Sequence, residues 1–225
     1  PNRICLYTVT SPEKDKLKVL KDLLLSLGDK SSIVFLNYRD SVERTALFLK
    51  EEGFIISWFH GGLEQREREA ALYRFSNGSA PILVSTDLAS RGLDIPDVDN
   101  IIHYHFPETE DSYVHRVGRT ARWDKEGRTF FILGPEERLP EFVSNEHEEY
   151  KIPDSLQKPA QPRMATIYIG KGKKDKISKI DIVGFLCKKG GLKSSEIGKI
   201  DVKNRFTYVA VSRTKIKEII SLTKG

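Results

Sequence analysis

The side chains best able to bind an anion are concentrated in one run, His115-Arg116-Val117-Gly118-Arg119-Thr120-Ala121-Arg122. Its arginines follow one another at a spacing of three residues. Positions three apart share a helix face, so a helix here would direct Arg119 and Arg122 at a single anion. Guanidinium suits a phosphate because its planar fork of donors stays charged and bonds two oxygens at once. The alternative is a solvated basic face on a surface helix.

A second polar stretch precedes this run and extends from Ser85 to Pro96. It follows the apolar residues 81–84, which predict a buried strand. A strand, a polar turn and a glycine-containing loop are typical of the ligand sites of open parallel α/β sheets, beyond the carboxyl ends of the strands. We therefore favour phosphate binding over a solvated face.

The two stretches resemble motifs V and VI of the DEAD-box RNA helicases, and they occur in the same order at a matching separation. Ile33–Asn37 resembles motif IV. Phe59–Arg68 resembles the segment between motifs IV and V, with its Gln-x-x-Arg signature at Gln65 and Arg68. The resemblance covers residues 1 to 135 and implies the second RecA-like domain of a superfamily 2 helicase.

This resemblance implies catalytic roles for Arg119 and Arg122 as arginine fingers that reach the γ-phosphate of ATP bound by a partner domain. Asp94 corresponds to the residue that accepts a hydrogen bond from the ATP ribose, although an Asp at this place could also cap a turn. His115 and Arg116 correspond to residues that contact the acidic motif of the partner domain and couple ATP binding to closure. The residues assigned to ATP binding and coupling are Asp94, Gly92, His115 and Arg116.

The resemblance also implies contacts with the sugar-phosphate backbone of RNA. The corresponding residues are Gly61, Gln65, Arg68 and Thr86. A hydroxyl, a glycine amide and an arginine can fix phosphates without recognising bases. For Arg68 an ion pair with Glu64 on the same helix is an equal alternative.

Two expected motifs are missing from the sequence. It contains no G-x-x-x-x-G-K-[ST] loop and no Asp-Glu-Ala-Asp. Such residues hold the phosphates of a nucleotide and its Mg²⁺. We therefore expect ATP and Mg²⁺ to be held mainly by an N-terminal RecA-like domain of the same protein, and we expect these 225 residues alone to hydrolyse no ATP.

The charge distribution predicts two domains. Residues 1–150 contain 19 Lys and Arg against 26 Asp and Glu, whereas residues 151–225 contain 18 against 6. A region as basic as the second implies a polyanionic partner, most simply nucleic acid, although it could merely aid solubility. The prolines between 135 and 163 mark a linker. We predict a helicase C-terminal domain at 1–145, a linker at 146–163 and an RNA-binding domain at 164–225.

The basic region has the order β-α-β-β-α, which is most of an RRM-like fold. It resembles the C-terminal RNA-binding domain of the DbpA/YxiN group of DEAD-box proteins at residues 172–177, 181–184 and 197–200. The lysines precede a predicted helix start, where positive charge and free amides favour phosphate. A fourth strand after the second helix is expected but absent. The predicted RNA-binding residues are Lys173, Lys174, Lys176, Tyr168, Phe206 and Tyr208, although aromatic residues at this spacing are about as often ordinary sheet residues.

The pattern of elements predicts an α/β fold, a RecA-like parallel sheet flanked by helices, followed by a small α+β RRM-like domain. Ser11 and Pro12 predict the start of the first helix, whose apolar stripe runs through Leu17, Leu20, Leu24 and Leu27. Cys5 and Cys187 stand in apolar settings far apart in the sequence, so we expect no disulfide and no metal site.

The leading hypothesis is an ATP-dependent RNA helicase that remodels structured RNA. The DbpA/YxiN resemblance implies a 23S ribosomal RNA hairpin and pre-50S particles as partners. One alternative is a non-enzymatic rRNA-binding module with a helicase-like scaffold, and another is a DNA-directed superfamily 2 helicase. No apolar run is long enough to span a bilayer, so we expect no membrane partner. Two cysteines that suggest no disulfide fit a reducing compartment, so we expect a cytoplasmic location.

Overall fold

The computed structural model describes residues 4–122 and 125–223. The chain divides into two compact units. The first contains the chain up to Leu72 together with Pro81–Gln161, and the second contains Tyr73–Ala80 and the chain from Pro162 onward. The outer limits of the predicted domains, Pro1 and Gly225, lie outside the described residues.

The first unit contains a parallel β-sheet whose strands alternate with helices. The strands are β1 Ile4–Thr10, β2 Ser32–Phe35, β3 Ile56–Phe59, β4 Ile82–Ser85, β5 Asn100–His103, β6 Gly127–Leu133 and β7 Glu148–Glu149. They lie in the order β3-β4-β2-β5-β6-β1-β7, and every neighbouring pair is parallel. The helices are α1 Leu17–Leu27, α2 Arg39–Glu51, α3 Gln65–Ser76, whose residues from Tyr73 onward belong to the second unit, and α4 Glu110–Val117. The predicted RecA-like parallel sheet is therefore confirmed.

The leucine stripe of α1 packs into the main core as predicted, with Val34 and Phe130 among its neighbours. The predicted helix start at Ser11 is wrong, since α1 begins at Leu17. The amide of Ser11 donates to Leu133 O at 2.7 Å, which keeps this residue beside β6. Lys16 is then buried at the base of α1, where its Nζ donates to the carbonyl oxygens of Tyr104 (2.9 Å) and Ile132 (2.7 Å).

Part of the predicted linker belongs to the first unit. Strand β7 extends the sheet beside β1. Tyr150 follows it, packs edge-on against Phe130 with ring centroids 5.2 Å apart, and its hydroxyl lies 3.0 Å from Ser26 Oγ. Its aromatic ring thus adds apolar surface to the core, a role that the proline-rich composition did not indicate.

The second unit contains a three-stranded antiparallel sheet with two helices. Its elements are β8 Met164–Ile169, α5 Lys179–Lys188, β9 Ile197–Val202, β10 Thr207–Ser212 and α6 Ile216–Leu222. The strands lie in the order β8-β10-β9. The core contains residues from both helices and from β10, with Leu186, Val209 and Ile219 at its centre. The predicted α+β fold is confirmed, and no fourth strand lies beside β8 within residues 4–122 and 125–223.

Candidate functional site

The candidate residues of the first unit are carried by segments that follow parallel strands. β4 leads into a short 3-10 helix at Asp87–Ser90, β2 leads to Asn37, and β5 leads to His105. The carboxyl ends of parallel strands meet at one edge of a sheet, where α/β proteins bind their ligands. The fold therefore brings polar side chains from distant parts of the sequence to this edge.

The two predicted fingers do not lie on a helix. α4 ends at Val117, Gly118 caps it, and Ala121 adopts a φ of +55°, so the chain turns between Arg119 and Arg122. The prediction that Arg119 and Arg122 share one face of a helix is therefore wrong. A left-handed residue is uncommon outside glycine, and the simple three-residue periodicity gives no sign of it.

Both fingers nevertheless converge on the loop after β4. Arg119 donates from Nε to Ser90 O at 3.0 Å and from Nη1 to Leu93 O at 2.8 Å. Arg122 donates from Nη2 to Ile95 O at 2.5 Å, and its backbone N donates to Asp97 Oδ1 at 3.2 Å. The loop thus holds Arg119 by main-chain acceptors, and it holds Arg122 by a main-chain acceptor and by the Asp97 carboxylate, whose Oδ1 lies 3.5 Å from Arg122 Nε.

Asp94 lies between the two carbonyl anchors. Leu93 O binds Arg119 and Ile95 O binds Arg122, whereas the intervening Asp94 side chain is exposed. Gly92 makes the turn that precedes it with a φ of +72°. The predicted ribose-binding carboxylate and both predicted fingers therefore belong to one compact arrangement.

Each finger keeps donors that the chain does not use. Arg119 Nη2 and Arg122 Nη1 have no hydrogen-bond partner among residues 4–122 and 125–223. Arg119 is 7% exposed, and burial, with a smaller contribution from the charge of Arg122, lowers the pKa of its guanidinium. A desolvated cation with a spare donor suits the oxygens of a phosphate.

Arg116 lies elsewhere than we predicted. Its side chain is fully buried and bonds to Asp87 twice, with Nε at 2.6 Å from Oδ1 and Nη2 at 3.1 Å from Oδ2. A direct contact of this guanidinium with a partner domain is therefore corrected to an internal role. His115 is partly exposed, with Nε2 3.4 Å from Asp111 Oδ1.

On the predicted RNA side, Thr86 caps the short 3-10 helix by accepting a bond from the amide of Leu88 at 3.4 Å. Gly61 is exposed and lies under an arginine that the sequence analysis did not select. A Cβ on Gly61 would lie 2.8 Å from Arg39 Nη2, so the guanidinium of Arg39 packs directly on this glycine. The sequence signal that could have identified Arg39 is its position just after the motif IV segment, Ile33–Asn37.

Gln65 and Arg68 lie one turn apart at the start of α3 and bond to each other. Arg68 donates from Nη2 to Gln65 Oε1 at 3.0 Å. Within the described residues Arg68 forms no ion pair with Glu64, the alternative that we considered. The side-chain amide of Gln65 and the guanidinium group of Arg68, the two predicted RNA contacts, thus lie side by side on the surface of α3.

In the second unit, the predicted lysines lie on a loop that is bonded to a second basic loop. The amides of Lys173 and Lys174 donate to the carbonyl oxygens of Lys203 and Asn204, each at 2.8 Å. Gly172 is required there because a Cβ would clash with Lys203 O. We call residues 171–176 and 203–206 the paired basic loops; their cationic side chains are Lys171, Lys173, Lys174, Lys176, Lys203 and Arg205.

Two of the backbone amides expected to be free at the start of α5, those of Ser178 and Asp181, are bonded within a capping box. Asp181 Oδ2 accepts from the amide of Ser178 at 2.8 Å and from its hydroxyl at 2.9 Å, and Ser178 caps α5 in return. These bonds lower the pKa of the Asp181 carboxyl. The Asp181 carboxylate therefore lies at the predicted helix-end phosphate site, which remains a prediction together with the lysine side chains beside it.

The predicted aromatic residues differ in accessibility. Tyr168 is 48% exposed and stacks on the partly buried Phe206 with ring centroids 5.8 Å apart. Tyr208 is buried, and its ring stacks on Tyr73 of the same unit at 4.8 Å. A base cannot reach the covered face of Tyr208, so this member of the predicted stacking surface is corrected.

Over residues 4–122 and 125–223, no cluster of three or more His, Cys, Asp or Glu has the geometry to hold a metal ion. Within the same residues, no helix combines the length and the apolar character needed to cross a membrane.

Comparison with known proteins places both units. The helicase conserved C-terminal domain family matches residues 15–124, and the DbpA RNA binding domain family matches residues 166–225. The ATP-dependent RNA helicase DbpA of Escherichia coli is 35% identical over 204 residues, which cover 88% of this chain and 45% of that protein. The DbpA helicase of Bacillus subtilis is 27% identical and covers 95% of this chain and 50% of its own length.

The chain therefore spans about half the length of these curated relatives. Among solved structures, the E. coli DEAD-box protein SrmB, crystallised with regulator of ribonuclease activity A, is 27% identical with a TM-score of 0.61 and covers 72% of this chain and 100% of that one. A helicase domain followed by a DbpA-type domain, with DbpA helicases as relatives along most of the sequence, shows that the chain belongs to the DEAD-box RNA helicase family, in its DbpA group.

Proposed function

We propose that this chain is the half of an ATP-dependent RNA helicase that supplies the arginine fingers and part of the RNA grip. The convergence of Arg119 and Arg122 on the two carbonyls that flank Asp94 is the observation that carries the proposal. An N-terminal RecA-like domain of the same protein would hold most of the nucleotide and its Mg²⁺. A scaffold without enzymatic activity would have no use for two anchored guanidinium groups with spare donors.

ATP, when bound, supplies the γ-phosphoryl group that is transferred to water. In this chain Arg119 and Arg122 would neutralise the charge that develops on that group, and Asp94 would accept a hydrogen bond from the ribose. The carbonyl anchors hold both guanidinium groups in place before the reaction, so little reorganisation is needed. A finger of this kind contributes about 10³–10⁵ in rate in the nucleotide hydrolases where it has been removed.

RNA would be held in two places. Thr86, Gly61, Gln65, Arg68 and Arg39 would contact the sugar-phosphate backbone at the helicase domain. The paired basic loops of the second unit would bind a structured RNA, and we propose large-subunit ribosomal RNA because of the DbpA-type domain. Lysine contacts of this kind position an RNA without specifying its bases.

The test is the RNA-stimulated ATP hydrolysis of the full-length protein. Arg119→Ala should reduce the maximal turnover by about 10³-fold or more, while the affinity for RNA stays near that of the wild type. Arg44→Ala is the matched control because Arg44 is exposed and forms its ion pair with Asp15, at 2.7 Å, outside the proposed site. The isolated chain should hydrolyse no ATP. Unchanged turnover in the Arg119 variant would favour the non-enzymatic rRNA-binding module.

A further inference from the structure

His60 is a buried histidine of the first unit that has no part in the proposed ATP or RNA contacts. It directly follows β3 and is 3% exposed. Its Nδ1 accepts a hydrogen bond from the amide of Gly62 at 2.9 Å, and its Nε2 lies 3.0 Å from Glu43 Oε1. A ring nitrogen that accepts carries no hydrogen, so the hydrogen is on Nε2, from which it is donated to the Glu43 carboxylate. Both nitrogens of the imidazole are therefore used within the chain.

The bond to Gly62 holds the turn that leads from β3 towards α3. The amide of Leu63 donates to His60 O at 3.2 Å, which closes a tight turn over Gly61 and Gly62. A Cβ on Gly62 would lie 2.9 Å from His60 Cε1, so the imidazole packs directly on the turn. Two successive glycines give a backbone unusual conformational freedom. The contact with His60 restricts that freedom.

Glu43 connects the imidazole to α2, the helix that also carries Arg39. The two residues are four positions apart on this helix, a spacing at which an arginine and a glutamate can pair. Glu43 binds His60 instead, and the Arg39 guanidinium forms neither an ion pair nor a hydrogen bond among the described residues. It packs on Gly61. One helix thus brings to the turn both the carboxylate that holds the histidine and a cation that is free for a phosphate.

Gly61 is the part of this turn that RNA can reach. It is exposed, and within the part of the chain that the structure describes its amide donates to no acceptor. A backbone amide beside a guanidinium group offers two kinds of donor to the oxygens of one phosphate. Where the amide lies relative to Arg39 depends on the turn, and the turn is held by His60.

We propose that His60 is a positioning residue for RNA binding in the first unit. Through its bond to Gly62 it sets the Gly61 amide beside the Arg39 guanidinium, so that both bind one phosphate of the RNA backbone. Glu43 orients the imidazole for this bond. The proposal rests on the helicase function above. None of these bonds involves either predicted finger, so His60 acts on the affinity for RNA and not on the turnover at saturating RNA.

The test compares two amide replacements of His60 in the full-length protein. Asn places an oxygen near the position of Nδ1 and still accepts from Gly62, as in an Asx-turn, whereas Gln places its amide near Nε2 and keeps only the contact with Glu43. We expect His60→Gln to raise the RNA concentration for half-maximal stimulation of ATP hydrolysis by about fivefold, the effect of one lost hydrogen bond, with the maximal turnover unchanged. His60→Asn should remain near the wild type in both values.

His147→Gln is the matched control, because His147 is exposed and lies outside the proposed RNA contacts. It should change neither value. A merely structural His60 would make the Gln and Asn variants lose melting temperature alike without separating them in RNA concentration. That result would overturn the positioning role while the helicase function stands. A wild-type protein with no RNA-stimulated hydrolysis would instead overturn the function itself.

The position of the hydrogen on the His60 ring gives a second measurement, which does not depend on a variant folding. Long-range ¹H–¹⁵N NMR spectra of the full-length wild type should show Nδ1 without a hydrogen and Nε2 with one. A hydrogen on Nδ1 would leave the Gly62 amide without its acceptor, and it would overturn the proposal.

Discussion

The basic side chains of the two units are held in opposite ways. In the first unit Arg116 and Arg119 are buried, and acceptors of the same unit hold the Nε of Arg116 at 2.6 Å and the Nε of Arg119 at 3.0 Å. In the second unit the side chains of Lys173, Lys174 and Lys176 are exposed, and the amides of Lys173 and Lys174 are bonded to the neighbouring loop. The first unit therefore holds its positive charges in fixed positions, whereas the second unit leaves its positive charges exposed on the surface.

This difference suits two different ways of interacting with phosphate groups. A guanidinium group anchored in a desolvated setting acts at one place and loses its effect when moved by about 1 Å. Exposed lysines act as mobile point charges, release counterions and tolerate many RNA geometries. The first arrangement suits chemistry at a single phosphate, and the second suits the grip on a folded RNA.

Removing one cation from each unit gives the largest expected contrast. Arg116→Met leaves the Asp87 carboxylate without its partner and should lower the free energy of unfolding by about 3 kcal/mol. Lys173→Met changes an exposed side chain and should change it by less than about 0.5 kcal/mol. Urea unfolding of both variants measures the difference, and equal losses would remove the distinction between the two arrangements.

The salt dependence of RNA binding sharpens the contrast further. Replacing Lys173 and Lys174 with Gln should flatten the slope of log affinity against log salt by about one unit per lysine. Lys217→Gln, an exposed position on α6 outside the paired basic loops, is the control and should leave the slope unchanged. Arg119→Gln should leave it unchanged as well. A slope indifferent to both loop lysines would contradict our placement of the RNA grip.

The smallest expected effect is the pH dependence of stability at His103. Burial, and then the charge of Arg116, hold the pKa of this imidazole well below its ordinary range, and its ring nitrogens face Arg116 and Thr129. The folded state keeps it neutral, while the unfolded chain takes up a proton below about pH 6.5. Its contribution to stability is therefore complete above that pH and decreases as the pH falls.

Between pH 7.5 and pH 5.5 this single group should account for a loss of about 1 kcal/mol in the free energy of unfolding. Thermal or urea unfolding of His103→Asn at both pH values should show a loss smaller by that amount than in the wild type. The exposed His147→Asn serves as the control. Identical pH dependence in wild type and His103→Asn would refute the neutral, buried assignment.

The sequence predicted the two folds well because both depend on local patterns. Strands alternating with helices, and the leucine stripe of α1, follow from periodicity that each segment carries by itself. The start of α1 was misplaced because Ser11 and Pro12 are a good local signal, whereas the position of Ser11 is set by a bond to Leu133, far along the chain. The contribution of Tyr150 to the core was missed because it depends on contacts with Phe130 and Ser26, which are also distant in the sequence.

The sequence did not show how the candidate site is built. Arg119 and Arg122 bind the carbonyl oxygens on either side of Asp94 by a turn through Ala121, and not along the helix that we predicted. The burial of Arg116 could not be predicted, since Arg116 looks the same in sequence as its two neighbours and only the fold surrounds it with acceptors. The roles of all these residues toward ATP and RNA remain predictions that the experiments above address.

The anchors of the two fingers are main-chain oxygens, contributed by Ser90, Leu93 and Ile95. Every amino acid supplies such an oxygen, so the grip on the guanidinium groups survives most substitutions of the side chains at Leu93 and Ile95. Adding or deleting one residue there would shift the oxygens and release both arginines. We therefore expect the length of this loop to matter more for holding the two arginines than the identity of its side chains.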